Sequence, residues 1–154
     1  MPNLIHLIYV STATRELSEE DLLQLLDQAR TKNARLNLTG MLLYSENNFF
    51  QVLEGEPAIV NELFQTISQD ERHMKMVTII REPISKRSFG EWTMGFADLT
   101  SSDLQEITGL NDFFREGSTF AQLNAGRAKK LLIAFKEGRW RSKLNVPTLE
   151  LIGS

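Results

Sequence analysis

Cysteine is absent from the 154-residue chain, and histidine occurs only twice. Without thiols there is no disulfide framework, no thiolate nucleophile and no cysteine-ligated zinc or iron–sulfur cluster. Two histidines argue against a catalytic metal site, and none is expected. Four prolines and nine glycines are too few for a fibrous or low-complexity chain. No apolar run approaches the roughly 20 residues of a membrane span, and the N-terminus has no basic segment leading into a signal-peptide core. Neither sign of charge dominates: 17 Lys/Arg against 20 Asp/Glu give a net charge of −3, which argues against general nucleic-acid binding. What remains is ordinary globular composition, 42% apolar and 24% charged, at a length that buries one proper core. A soluble cytoplasmic protein is the expectation.

The first hundred residues alternate between strand and helix signals. Leu4 to Val10 is a short β-branched and aromatic run that reads as a central strand. Ser18-x-x-Asp21 is a capping-box pattern opening a helix whose stripe is Leu22, Leu25, Leu26 and Ala29, fading near Lys32 and Asn33. Thr39 to Tyr44 and Phe49 to Leu53 read as two strands joined by the turn-prone Ser45-Glu46-Asn47-Asn48. Pro57 suits the first turn of a second helix, whose apolar face is Ile59, Val60, Leu63, Phe64 and Ile67. Met76 to Ile80 is a fourth strand, Pro83 through Gly90 a turn, and Phe89 to Phe96 a fifth strand. The order predicts an α+β, ferredoxin-like β-α-β-β-α-β-β sheet with both helices on one face. From Thr100 only helix signals follow: a short helix capped by Ser102 and ended near Gly109, then a longer one from Ser118 or Thr119 through Phe135 to Gly138.

Strand parity sorts the polar side chains. Tyr9 shares a strand face with Ile5 and Leu7, and Gln51 shares one with Phe49 and Leu53. A primary amide buried in such a run costs on the order of 1–3 kcal/mol unless its donors and acceptor find partners. Asn33 has an ordinary explanation as a helix C-cap, and Trp92 and Met94, two apart on the fifth strand, have one as core. In a ferredoxin-like sheet, however, the first and third strands flank the centre, so Tyr9, Gln51 and Asn33 are expected to converge beneath the helices. That arrangement suits a flat, hydrogen-bonding heteroaromatic ligand of unknown identity.

Five pieces in order carry a family resemblance: Leu7-Ile8-Tyr9-Val10-Ser11; Asn33-Ala34-Arg35 leading to Leu38-Thr39-Gly40; Phe49-Phe50-Gln51-Val52-Leu53-Glu54-Gly55; Asp70-Glu71-Arg72-His73; and Trp92-Thr93-Met94. Over residues 1 to about 98 the chain resembles the BLUF family, the sensors of blue light using flavin, in its short stand-alone form. The resemblance implies a non-covalent flavin, FAD by preference with FMN as the alternative, between the two helices. It implies that Asn33 bonds the polar ring edge with Lys32 beside it, where relatives often carry His or Asn. Leu25 and Ile67 would sandwich the ring, and Arg72 and His73 would lie near the ribityl-phosphate side. The implied mechanism is photochemical, not enzymatic. Tyr9 supplies an electron and then a proton to the excited flavin, and Gln51 is left with a changed hydrogen-bond pattern. The signal leaves through the fifth strand, with Trp92 and Met94 exchanging places near the flavin, to the terminal helices.

Residues 1–98 are therefore expected to be a sensor and 99–154 a helical output and oligomerisation cap. The former hold nine Lys/Arg and 14 Asp/Glu, the latter eight and six. The basic run from Arg127 to Lys143 reads first as a solvated helix face and second as a contact surface for an acidic partner. Partners would be separate effector proteins or other copies, since no effector segment is recognisable. Two other readings weigh less: an acylphosphatase-like enzyme, for which Ser11-Thr12-Ala13-Thr14-Arg15 offers an arginine but no glycine loop, and a scaffold indifferent to light.

Overall fold

The computed structural model describes residues 3–137 and Trp140. Its order is β1 (Leu4–Ala13), α1 (Glu19–Leu36), β2 (Thr39–Ser45), β3 (Asn48–Gly55), α2 (Pro57–Ser68), β4 (His73–Ile84) and β5 (Gly95–Asp98), the expected β-α-β-β-α-β-β succession. The five strands form one mixed sheet in the order β4-β1-β3-β2-β5, antiparallel except that β5 runs parallel to β2. The fold is ferredoxin-like, with α1 and α2 on one face and C-terminal helices in addition.

Local chemistry explains most boundaries. Ser18 and Asp21 form a reciprocal capping box at the start of α1. Glu46 and Asn47 both take positive φ, the paired left-handed geometry of a tight hairpin turn that follows the twist of β2 and β3. Pro57 stands in the first turn of α2, where no N–H is needed. Several helix ends differ from expectation. Asn33 does not cap α1; the helix runs on to Leu36, and Asn37 supplies the left-handed C-cap at φ 56°, leaving Asn33 buried within the last turns. In the tail, Thr100 rather than Ser102 caps the first helix, because Asp103 at N3 completes a box with it.

The fourth and fifth strands also shift. β4 extends to Ile84 and takes in Pro83, which an edge strand tolerates because its missing N–H lies off the ladder. The fifth strand does not begin at Phe89: residues 85–94 form turns and bends, and β5 pairs only from Gly95. Trp92 and Met94 therefore do not share a strand face. The tail comprises α3 (Ser101–Gln105), α4 (Asn111–Arg115), a 3-10 turn at Phe120–Gln122 and α5 (Ala125–Lys136). Thr119 caps only the 3-10 turn, and Asn124 opens α5. The stop expected at Gly138, and the basic residues beyond Glu137, lie outside the described residues.

Two apolar clusters meet at the sheet. Ile5, Leu7, Leu42, Phe49 and Leu53 point to α1 and α2, while Ile8, Val10, Met41, Leu43, Phe50 and Val52 point to Leu104, Phe114, Phe120, Leu131 and Phe135 of the tail. Burial on both faces is why β1 to β3 read as unbroken apolar runs rather than alternating ones. Gly40 sits where β2 crosses β3 so closely that a Cβ would collide with the Val52 carbonyl oxygen. Gly40→Ala is expected to destabilise the protein by about 3 kcal/mol, the upper range for an added core methyl, read as a lowered urea unfolding midpoint at unchanged slope.

Candidate functional site

The antiparallel pairing of β1 with β3 sets Tyr9 opposite Gln51. Tyr9 is wholly buried and donates its phenolic O–H to Gln51 Oε1. Its ring meets the edge of Phe64 from α2 at 5.3 Å, with a 67° interplanar angle. Burial, with a smaller contribution from the Asp70 charge, pushes the phenol far above its ordinary range, so it stands as a neutral donor. The other end of the amide is also engaged: Gln51 Nε2 donates to Met94 Sδ at 3.6 Å. Tyr9, Gln51 and Met94 thus form one chain, O–H to carbonyl and N–H to sulfur, and the buried amide that looked costly in the sequence has partners at both ends.

Above this chain lies a partly open cleft between α1 and α2. Leu42 and Gln51 form its floor. Leu25, Ala29, Lys32 and Asn33 line it from α1, and Leu63, Thr66 and Ile67 from α2. Its mouth is polar: Arg72 Nη2 lies 2.6 Å from Asp70 Oδ2, and Arg72 Nη1 donates to Gln28 Oε1 at 3.2 Å, tying α1 to the start of β4. The hydrogen bonds from Arg72 hold the Asp70 carboxyl down to about 2. His73 Nδ1 lies 3.0 Å from Ser11 Oγ, and its ring tilts against Phe49. Desolvation lowers the His73 pKa, favouring the neutral ring.

Of the residues singled out in the sequence, Leu25, Lys32, Asn33, Gln51, Ile67, Arg72 and His73 line this cleft, and Tyr9 lies beneath Gln51. Met94 is buried against Gln51. Trp92 is elsewhere: its ring stacks near Phe89, 6.4 Å between centroids, and packs against the cluster on the far side of the sheet. Sequence reading missed Arg30, whose Nε donates to the Met94 carbonyl at 2.9 Å, and Asp70, which orients Arg72. The i, i+3 spacing of Arg30 and Asn33, and the Asp70-x-Arg72 pair, were the available signals. Arg15, the arginine an acylphosphatase-like site would need, is exposed and paired with Asp21.

A cleft with aliphatic walls, amides at one edge and on the floor and a guanidinium at its mouth can take a ligand with an apolar body and polar edge groups. Fold and site together define a ferredoxin-like ligand-binding domain. The family model for sensors of blue light using FAD matches residues 4–95. The chain belongs to that family, BLUF. It is 41% identical over 92 residues to the photoactivated adenylate cyclase subunit beta of Euglena longa, covering 59% of this chain and 11% of that protein. With the blue light- and temperature-regulated antirepressor BluF of Escherichia coli K12 it shares 29% identity over 120 residues, 78% of this chain and 29% of that protein. The chain thus spans about a tenth of the length of the cyclase subunits it matches. Among solved structures, the BlsA ground state superposes with a TM-score of 0.73 at 28% identity, covering 97% of this chain and 98% of that one. The BLUF protein BlrB in its dark state gives 0.68 at 29%, covering 89% and 99%. Among the described residues no helix is long and apolar enough to cross a membrane.

The Asp70 pair has a pH signature. Its folded-state pKa lies below the ordinary 3.8, so between about pH 4 and pH 2 the unfolded chain binds more protons and stability falls with pH. Asp70→Asn is expected to flatten the loss of stability across that window, and an NMR titration should place the Asp70 carboxyl midpoint near 2.

Proposed function

We propose that the chain is a blue-light photoreceptor, not an enzyme, that holds FAD, or alternatively FMN, non-covalently in the cleft between α1 and α2. The single observation that carries this reading is the chain from Tyr9 through Gln51 to Met94 directly beneath the cleft between α1 and α2. Leu25 and Ile67 would grip the ring faces, Asn33 and Lys32 its polar edge, and Arg72 and His73 the phosphate side. When bound and excited by blue light, flavin supplies a strong one-electron oxidant next to a buried phenol.

Tyr9 gives up an electron and then its phenolic proton along the bond to Gln51 Oε1, and recovers both. The neutral, deeply buried phenol is suited to this because its proton has one exit, the amide oxygen. Gln51 ends the cycle with a rearranged set of partners. Any rearrangement that turns Nε2 away from Met94 Sδ leaves the thioether without its donor. Met94 immediately precedes β5, which pairs parallel to β2 and leads through Leu99, bonded to the Tyr44 carbonyl, to the Thr100 cap of α3. The shift therefore reaches the tail helices, with residues 1–98 as sensor and 99–154 as output. A cytoplasmic effector protein or a second copy of the chain reads that change.

Purified protein is expected to be yellow, to shift slightly to the red under blue light and to recover in darkness. Tyr9→Phe and Gln51→Ala should retain flavin and lose the shift. Colourless protein that flavin does not reconstitute overturns the reading, and a normal photocycle in either variant overturns the assigned roles.

A further inference from the structure

Residues 92–94 belong to no strand, yet their backbone is held at three successive carbonyls. Trp92 O accepts from Gly40 N of β2 at 3.3 Å, Thr93 O from Asn33 Nδ2 at 2.8 Å, and Met94 O from Arg30 Nε at 2.9 Å. Two of the three donors are side chains of α1, one helical turn apart on the same face. They differ in what else they border. Asn33 lines the cleft, so its amide is shared between the slot and Thr93. Arg30 lies outside the lining, on the half-buried flank of α1.

The consequence falls on the thioether. Met94 Sδ is a weak acceptor at 3.6 Å from Gln51 Nε2, and a weak contact of this kind keeps its geometry only if both partners are fixed. The Gln51 backbone is fixed by the sheet, and in this structure its amide oxygen is held by the Tyr9 hydroxyl. Met94 lies one residue before the β5 ladder begins at Gly95, so the carbonyl bond from Arg30 holds its backbone. A hydrogen bond from a charged donor is stronger than one between neutral groups, and this one is partly shielded from water.

We infer that Arg30 is a positioning residue for the photoreceptor: by holding the Met94 carbonyl it keeps the thioether against the Gln51 amide, so that α1 controls how readily the 92–94 segment leaves and returns. This role rests on the reading of the site as a light sensor. It makes α1 a wall of the slot on one side and a clamp on the exit segment on the other.

The test uses the flavin-loaded full chain with Arg30→Met, which keeps the aliphatic stem and removes every donor; Arg30→Leu serves if that variant fails to fold. In darkness, amide hydrogen exchange over residues 92–95 is expected to accelerate roughly tenfold, the factor one charge-assisted hydrogen bond carries. After illumination, the dark-recovery rate should change by roughly threefold or more, and the same substitution in a Met94→Leu background should leave the rate unchanged. Unaltered exchange, or an equal rate effect in both backgrounds, overturns the assignment. If no flavin binds or no spectral shift occurs, the photoreceptor reading falls by itself, and the exchange measurement still decides whether Arg30 holds the segment.

Discussion

Pairing of β1 with β3 in the register that sets Tyr9 opposite Gln51 governs the rest of the molecule. Side chains alternate across a strand, so a slip of one residue would turn Tyr9 toward the tail helices and strand its hydroxyl in an apolar cluster. The register is secured by what lies on either side of those two residues. Leu7 and Leu53 must reach α1 and α2, while Ile8, Val10, Phe50 and Val52 must reach the tail. The polar pair is in this sense placed by its apolar neighbours, and it resides where hydration cannot compete for its one hydrogen bond.

β3 also touches both ends of the segment between β4 and β5, from opposite faces. On the cleft side Gln51 engages Met94. On the far side the buried Glu54 accepts from the backbone amides of Ser88 at 2.6 Å and Phe89 at 3.0 Å and from Thr39 Oγ1 at 2.9 Å. Arg87 closes the same corner through Thr39 Oγ1, the Glu54 carbonyl and the Asn37 carbonyl. The segment is therefore pinned at its entry by a carboxyl group that takes up two backbone amides, and at its exit by a thioether, two α1 side chains and one β2 amide. The Glu54 contacts at the entry and the Arg30 bond at the exit are of the charge-assisted kind, whereas the thioether contact is weak. Gln51 itself engages the segment at the exit, next to β5, through Met94.

The tail is part of the same core. Leu104, Phe114, Phe120, Leu131 and Phe135 bury the sheet face that α1 and α2 leave uncovered. Full burial of one such side chain contributes on the order of 1.5–3 kcal/mol, so the helices that would carry an output are also what keeps the sheet from exposing an apolar face. The tail is consequently joined to residues 1–98 by packing against β1 to β3 as well as by chain connectivity through β5.

Much of this was legible in the residues. Short β-branched and aromatic runs, period-3.6 stripes, the Ser18 capping box, the Asn-containing hairpin turn and Pro57 determined the order of elements, because each is a local rule with a local signal. The cleft residues Leu25, Lys32, Asn33, Gln51 and Ile67 followed from face parity and family resemblance. Sequence misplaced the segment before β5 and the end of α1. Phe89 to Phe96 has the composition of a strand, but the carbonyls of Trp92, Thr93 and Met94 are taken by Gly40, Asn33 and Arg30, so the ladder starts only at Gly95. That separation sends Trp92 to one side of the sheet and Met94 to the other. Asn33 looked like a helix end because local sequence does not show that Asn37 caps better in the left-handed conformation. Sequence alone determined which side chains were available and, within β1 to β3, which face each would take. Only the tertiary structure decided which of them share a hydrogen bond, because donors and acceptors dozens of residues apart are brought within 3 Å by the packing of α1 on the sheet.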